Sequence, residues 1–63
     1  MTMKSYAERV KNMREKVGWS QRQLADHFGV PPHTVQSWEQ GYRTPPEYVV
    51  TMMERLLKME GLT

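Results

Sequence analysis

The sequence of 63 residues predicts an all-α bundle of about four helices, with a long C-terminal helix. Three observations predict this fold class. Apolar residues recur three or four positions apart, which is the spacing of one helix face. Glycine follows each of the four segments with this spacing, where a helix commonly ends in a left-handed residue. No segment alternates apolar and polar residues as a half-buried strand would.

The first helix is predicted from about Lys4 to Val17. Its apolar residues Tyr6, Val10, Met13 and Val17 form a single stripe. Gly18 follows and is expected to end the helix.

The second helix is predicted over residues 20–28. Ser20 suits the N-cap, and Gln23 three residues later completes a capping box that satisfies two N–H groups. Leu24, Ala25 and Phe28 are expected to face inward, and Gly29 ends the helix.

The third helix is predicted over residues 32–40. Pro32 suits the first helical position, where its missing N–H would have no partner, and Pro31 is the non-helical entry. Val35 and Trp38 are expected to anchor this helix on its neighbours, and Gly41 ends it.

The last helix is predicted over residues 46–60, and it carries two apolar stripes. One stripe is enough for the core of a domain this small, so the other is interpreted as a contact between two copies of the chain. Tyr48 or Leu62 are candidates to extend that contact. The first stripe contains Val49, Met52, Leu56 and Met59, and the predicted homodimer contact is Val50, Met53 and Leu57.

The composition predicts one small domain over residues 1–63, with no room for an enzyme cleft beside a scaffold. The chain has no cysteine, which excludes disulfides and thiolate metal sites. His27 and His33 are six residues apart, which does not suit a metal site, so His27 is expected to be a surface residue. No titratable groups converge on a catalytic motif. We therefore predict neither an enzyme nor a cofactor.

The charge and hydropathy patterns bear on partners and location. Nine Lys and Arg against seven Asp and Glu give a net charge of only +2, so nucleic-acid binding must depend on where the charges lie. The N-terminus lacks the apolar run of a secretory signal, and no segment has about 18 consecutive apolar residues. A soluble, cytoplasmic protein without a membrane partner is expected.

The second and third predicted helices have the spacing of a helix-turn-helix, in which the second helix lies in the major groove of DNA. A solvated helix surface usually carries long charged side chains. The outward positions of the third helix carry none, and their short polar groups suit the donors and acceptors of base edges. These positions are Pro32, His33, Gln36, Ser37 and Gln40.

Several short motifs follow one another along the chain: SQRQLADHFGV from Ser20, then Thr34-Val35, Ser37-Trp38-Glu39 and GYRTP from Gly41. Over roughly residues 10–46 the sequence resembles the Cro/C1-type (XRE-like) helix-turn-helix of phage and bacterial repressors. With its Gly-Tyr-Arg and following prolines, the short chain is also similar to small phage autorepressors, including those found beside anti-CRISPR genes.

The resemblance implies a lambda-repressor-like bundle that binds double-stranded DNA. It implies a phosphate contact by Gln21, further phosphate contacts by the loop from Gln40 to Arg43, and a buried ion pair between Arg14 and Glu39. The chain departs from the family where Pro31 replaces the usual Ser or Thr cap and Pro32 replaces a Gln-like reader. The positions that the resemblance assigns to base reading are Pro32, His33, Gln36 and Ser37.

Position along the chain supports further phosphate contacts. Gln21 and Arg22 begin the second helix, whose N–H groups and dipole favour an anion. Tyr42 and Arg43 follow the third helix, where a loop reaches the flanking strand. The alternative for this loop is a solvated segment with Tyr42 packed on its own domain.

The function predicted from the sequence is a sequence-specific regulator of transcription that binds a palindromic operator as a homodimer and acts as a repressor. No small-molecule effector is evident, because the chain offers no separate ligand domain. The alternative is an antitoxin-like module whose main partner is another protein.

Overall fold

The computed structural model describes residues 5–63, which form the four helices α1 (Tyr6–Lys16), α2 (Gln21–Phe28), α3 (Pro32–Gln40) and α4 (Glu47–Met59). No strand occurs within these residues, so the predicted all-α class is confirmed. The helix bounds that fall within the described residues agree with the sequence prediction to within one residue. The predicted start of the first helix at Lys4 lies outside the described residues.

Local hydrogen bonds fix where the helices begin. Ser5 caps α1, with its Oγ accepting from the Glu8 N–H at 3.2 Å. The capping box of α2 is present: the Ser20 Oγ accepts from the Gln23 N–H at 3.1 Å, and the Ser20 N–H donates to the Gln23 Oε1 at 2.8 Å. Pro31 caps α3 without a side-chain hydrogen bond, as expected for a proline entry.

The turn between α2 and α3 depends on Gly29, which has a φ of 71°. Its N–H donates to the Asp26 carbonyl at 3.4 Å, and the Val30 N–H donates to the Ala25 carbonyl at 3.0 Å. This pair of bonds is a Schellman motif, which satisfies the last carbonyls of α2 and turns the chain sharply toward α3.

Every helix contributes to the core. Helix α3 packs against both α1 and α2, and α4 packs against α1. This arrangement packs one side of α3 against α1 and α2 and leaves its other side to solvent. The buried apolar residues are Val10, Met13, Leu24, Ala25, Val35, Trp38, Val50, Met53 and Leu57.

The assignment of the two apolar stripes of α4 was wrong, because the structure reverses them. Val50, Met53 and Leu57, predicted as the homodimer contact, are at most 2% exposed and lie in the core. The rotation of α4 is fixed in part by Glu54, which turns toward α1 and binds Arg9 at 2.6 Å. Both stripes are equally apolar, so hydropathy alone did not determine which one faces inward.

Helix α4 therefore presents most of the other stripe to solvent, together with Tyr48, whereas Val49 is partly buried against the core. We call this surface the outer face of α4 and define it by Tyr48, Met52, Leu56 and Met59, which are 73%, 49%, 37% and 82% exposed. Among residues 5–63, no helix combines the length and the apolar character that crossing a bilayer would require.

Candidate nucleic-acid interface

One side of α3 is uncharged and open to solvent. Val35 and Trp38 occupy the opposite side and are buried, which fixes the orientation of the helix. The open side consists of Pro32, His33, Gln36 and Gln40, which are all exposed, and Ser37, which is half-buried. The described chain does not cover this surface, so it remains accessible to a large partner.

The only charged side chain on α3 is Glu39, and it faces inward. Its carboxylate binds the Arg14 guanidinium through two nitrogens, Nε to Oε2 at 2.7 Å and Nη2 to Oε1 at 3.0 Å. The Glu39 side chain is 5% exposed and that of Arg14 is 17% exposed. Hydrogen bonding to Glu39 raises the pKa of Arg14 above its usual value, against a smaller opposing effect of burial. The open side of α3 therefore carries no negative charge.

The same carboxylate also orients the beginning of α2. The Gln21 Nε2 donates to the Glu39 Oε1 at 3.1 Å, and the Arg14 Nη1 donates to the Trp19 carbonyl at 2.9 Å. Arg14 and Glu39 thus connect α1, α3 and the entry to α2 in one hydrogen-bonded cluster. Gln21 lies beside α3 with its amide held by the protein, and the phosphate contact predicted for it remains a prediction.

The N-terminus of α2 keeps backbone donors available. The capping box uses the N–H groups of Ser20 and Gln23, whereas those of Gln21 and Arg22 have no partner within residues 5–63. The Arg22 side chain is exposed. Free N–H groups at a helix N-terminus, together with a nearby cation, suit an anion such as a phosphate.

The loop after α3 carries two further side-chain donors, those of Tyr42 and Arg43. The Tyr42 N–H and the Arg43 N–H both donate to the Ser37 carbonyl, at 3.0 and 3.3 Å, which ties the loop to the last turn of α3. The side chain of Tyr42 is 80% exposed, which excludes the alternative that it packs on its own domain. Arg43 and Gln40 are exposed as well.

His27 has a structural environment that its sequence position did not indicate. Its Nε2 lies 2.9 Å from Glu60 Oε2, and its ring is tilted against that of Trp19 with centroids 4.7 Å apart. His27 therefore joins the end of α2 to the end of α4. No cluster of potential metal ligands occurs among the described residues.

Sequence reasoning missed three contacts: the Gln21–Glu39 hydrogen bond, the Arg9–Glu54 ion pair and the His27–Glu60 pair. Each joins residues far apart in the sequence, so no spacing rule signals it. The resemblance supplied the Arg14–Glu39 pair, which the structure contains.

A family model described as helix-turn-helix matches residues 10–61. This match includes most of α1, all of α2, α3 and α4, and therefore the whole open side of α3.

One curated relative is multiprotein-bridging factor 1 of Schizosaccharomyces pombe, which is 32% identical over 62 residues. The alignment covers 95% of this chain and 42% of that protein, so the chain spans less than half of the relative's length. No solved structure matched the chain.

Proposed function

The chain belongs to the helix-turn-helix family, and from this premise we propose that it is a sequence-specific regulator of transcription that reads double-stranded DNA with α3. The observation that carries the proposal is the exposed, uncharged open side of α3. The single carboxylate of this helix, Glu39, faces inward and is bound by Arg14. A polyanion can approach this surface without repulsion from Glu39.

Base reading is assigned to the exposed side chains of α3. The amide of Gln36 can donate to and accept from one adenine edge, and His33 and Ser37 offer further donors and acceptors. Pro32 has no donor, so its contact would be apolar, for example with a thymine methyl group. Because the major groove displays a distinct pattern for each base pair, these few groups are sufficient to discriminate between sequences.

Phosphate contacts on either side of α3 would fix its depth and register in the groove. Gln21 and Arg22 lie at the N-terminus of α2, and Gln40, Tyr42 and Arg43 lie at the other end of α3. These groups position the protein on the duplex, and the two cations among them, Arg22 and Arg43, contribute salt-dependent affinity.

A homodimer completes the proposed function. One helix in one groove contacts few base pairs, whereas two copies related by a two-fold axis read both halves of a palindrome about 34 Å apart. Occupation of such an operator blocks transcription by steric exclusion, which is the proposed mode of repression. The protein works in the cytoplasm in this proposal, and its regulation follows its concentration.

Selection of binding sites from random duplex DNA tests the proposal most directly. We expect enrichment of a palindrome whose half-sites are one helical turn apart. Enrichment of no sequence would contradict sequence-specific reading. Enrichment of a single asymmetric site would retain the DNA reader and reject the symmetric dimer.

A protein-interaction module is the second candidate, and the outer face of α4 favours it, because exposed apolar side chains are typical of protein contacts. The name of the relative, a multiprotein-bridging factor, is compatible with this role. The two candidates differ in the residues on which they depend. A DNA reader requires Gln36, whereas a protein-interaction module would tolerate Gln36→Ala and lose function when the outer face of α4 is altered.

A further inference from the structure

The outer face of α4 is an apolar surface without a partner in the described chain. Tyr48 and Met59 are 73% and 82% exposed, more than is usual for side chains this large. The face extends over a helix about 20 Å long. Such a continuous surface indicates a contact with another macromolecule.

We propose that this face binds the same face of a second copy of the chain. The two α4 helices are antiparallel, and Met52 lies on the two-fold axis. The inference rests on the proposed homodimer and deepens it, since it names the surface, the direction and the register. It replaces the contact predicted from the sequence, whose residues are buried in the core.

The first argument is apolar complementarity. Tyr48 precedes Met52 by four residues and Leu56 follows it by four residues. In an antiparallel pair centred on Met52, each Tyr48 therefore lies at the level of the second copy's Leu56, and Met52 packs on itself. The three levels are about one helical turn apart, so each of these three side chains meets an apolar neighbour, whereas Met59 lies beyond the overlap of the two helices.

The second argument is the placement of charge. Lys58 lies on the side of α4 that borders α1, where it lines a pocket with Arg9 and Lys16, so it is turned away from the outer face. Arg55 is then the charged residue that a contact between two outer faces must accommodate.

Arg55 supports the same register. It is the only charged side chain near the middle of the outer face, and it is exposed. In the antiparallel register it lies at almost the same level as the second copy's Tyr48, where the guanidinium can stack on the ring. Arginine and tyrosine are both enriched at protein interfaces, and this pair satisfies a charge that would otherwise oppose burial.

A single helix face is smaller than the roughly 800 Å² per partner of a standard stable interface. We therefore expect a dimer that dissociates at low concentration and that tightens when both copies bind the same duplex. The DNA site is incomplete without the second copy, because one copy supplies only one reading helix.

Disulfide crosslinking tests the register. The chain has no cysteine, so a single introduced thiol can form a disulfide only with the same position of a second copy. Met52→Cys places two thiols on the two-fold axis, and a disulfide requires Cα atoms about 4.4–6.8 Å apart. We expect rapid formation of a covalent dimer by this variant on a non-reducing gel.

Met59→Cys is the matched control. In the antiparallel register its two copies lie about 21 Å apart along the helix axis, too far to form a disulfide. Met59 is more exposed than Met52, so random collision would favour the control. Slower crosslinking of Met52→Cys than of Met59→Cys, or equal rates in both variants, would overturn the register.

A second variant separates this inference from the proposed function. Met52→Glu places two like charges on the axis at a position where the folded monomer is already half exposed. We expect a folded monomer in sedimentation, with about a 100-fold loss of affinity for a duplex with two half-sites. Affinity for a single half-site should remain unchanged. A Met52→Glu variant that still forms a dimer would overturn the α4 contact. Failure of the wild-type protein to discriminate any DNA sequence would overturn the proposed function and leave the crosslinking result unaffected.

Discussion

The Arg14 guanidinium and the Glu39 carboxylate are joined by two hydrogen bonds of 2.7 and 3.0 Å. This bidentate geometry is the strong form of an arginine–carboxylate pair. It joins α1 to α3 and removes the only charge of α3 from the surface proposed to meet DNA. One contact therefore serves both the fold and the electrostatics of the interface.

Replacement of Arg14 should destabilise the protein strongly. Arg14→Met leaves the Glu39 carboxylate, which is 5% exposed, without its counter-charge, and we expect a loss of about 3 kcal/mol in the free energy of unfolding. Chemical denaturation followed by circular dichroism measures the loss. Arg9→Met is the control, because the Arg9–Glu54 pair is 27% and 37% exposed and should contribute less than about 1 kcal/mol. Equal losses in the two variants would contradict a special role of the buried pair.

Removal of the Gln36 amide should affect specificity more than general affinity. Gln36→Ala is expected to cost about 1–3 kcal/mol on the selected operator and much less on random DNA, as measured by fluorescence anisotropy. Gln40→Ala is the control with the same change of side chain, and as a phosphate contact it should weaken both duplexes equally. If Gln36→Ala also weakened both duplexes equally, Gln36 would be a phosphate contact.

The salt dependence of binding should report the phosphate contacts. If each half-site neutralises about three phosphates, log affinity should fall with log salt at a slope of about −5. Arg43→Ala removes one contact from each copy and should reduce the magnitude of the slope by about 2. Lys11→Ala, the same loss of charge on the exposed side of α1, should leave the slope unchanged. A flat salt response of the wild-type protein would be incompatible with the proposed mechanism.

Loss of the capping box should weaken α2. Ser20→Ala removes the acceptor of the Gln23 N–H and is expected to lower the free energy of unfolding by about 1 kcal/mol. Thr44→Ala provides the control, since Thr44 is an exposed loop hydroxyl. A Ser20→Ala variant as stable as Thr44→Ala in thermal unfolding would show that the capping box contributes nothing to stability.

Local signals in the sequence predicted much of the fold. The bounds of α2 and α3 depend on residues whose effect on the backbone extends over only one helical turn. Ser20 with Gln23 begins α2, Pro32 begins α3, and Gly41 ends α3. The exposed positions of α3 also followed from helical spacing once Val35 and Trp38 were taken as the anchor. These features need no knowledge of the tertiary structure.

The rotation of α4 could not be predicted in the same way. Its two stripes, one with Val50 and one with Met52, are both apolar, so the choice depends on which fits against α1 and on the long-range pair of Arg9 with Glu54. The hydrogen bond of Gln21 to Glu39 is likewise set by tertiary packing. Residue spacing carries no signature of contacts between residues distant in the chain, and the distant pair of Arg14 with Glu39 was anticipated only from the family resemblance.

The two sides of α3 have no residue in common. Val35 and Trp38 hold the helix in place, whereas His33, Gln36 and Gln40 take no part in the packing of the core. Under the proposed function, mutations on the open side would redirect the protein to new target sequences over generations without unfolding it. Recognition could then diversify quickly, because the residues that fold the chain and the residues proposed to read DNA evolve under separate constraints.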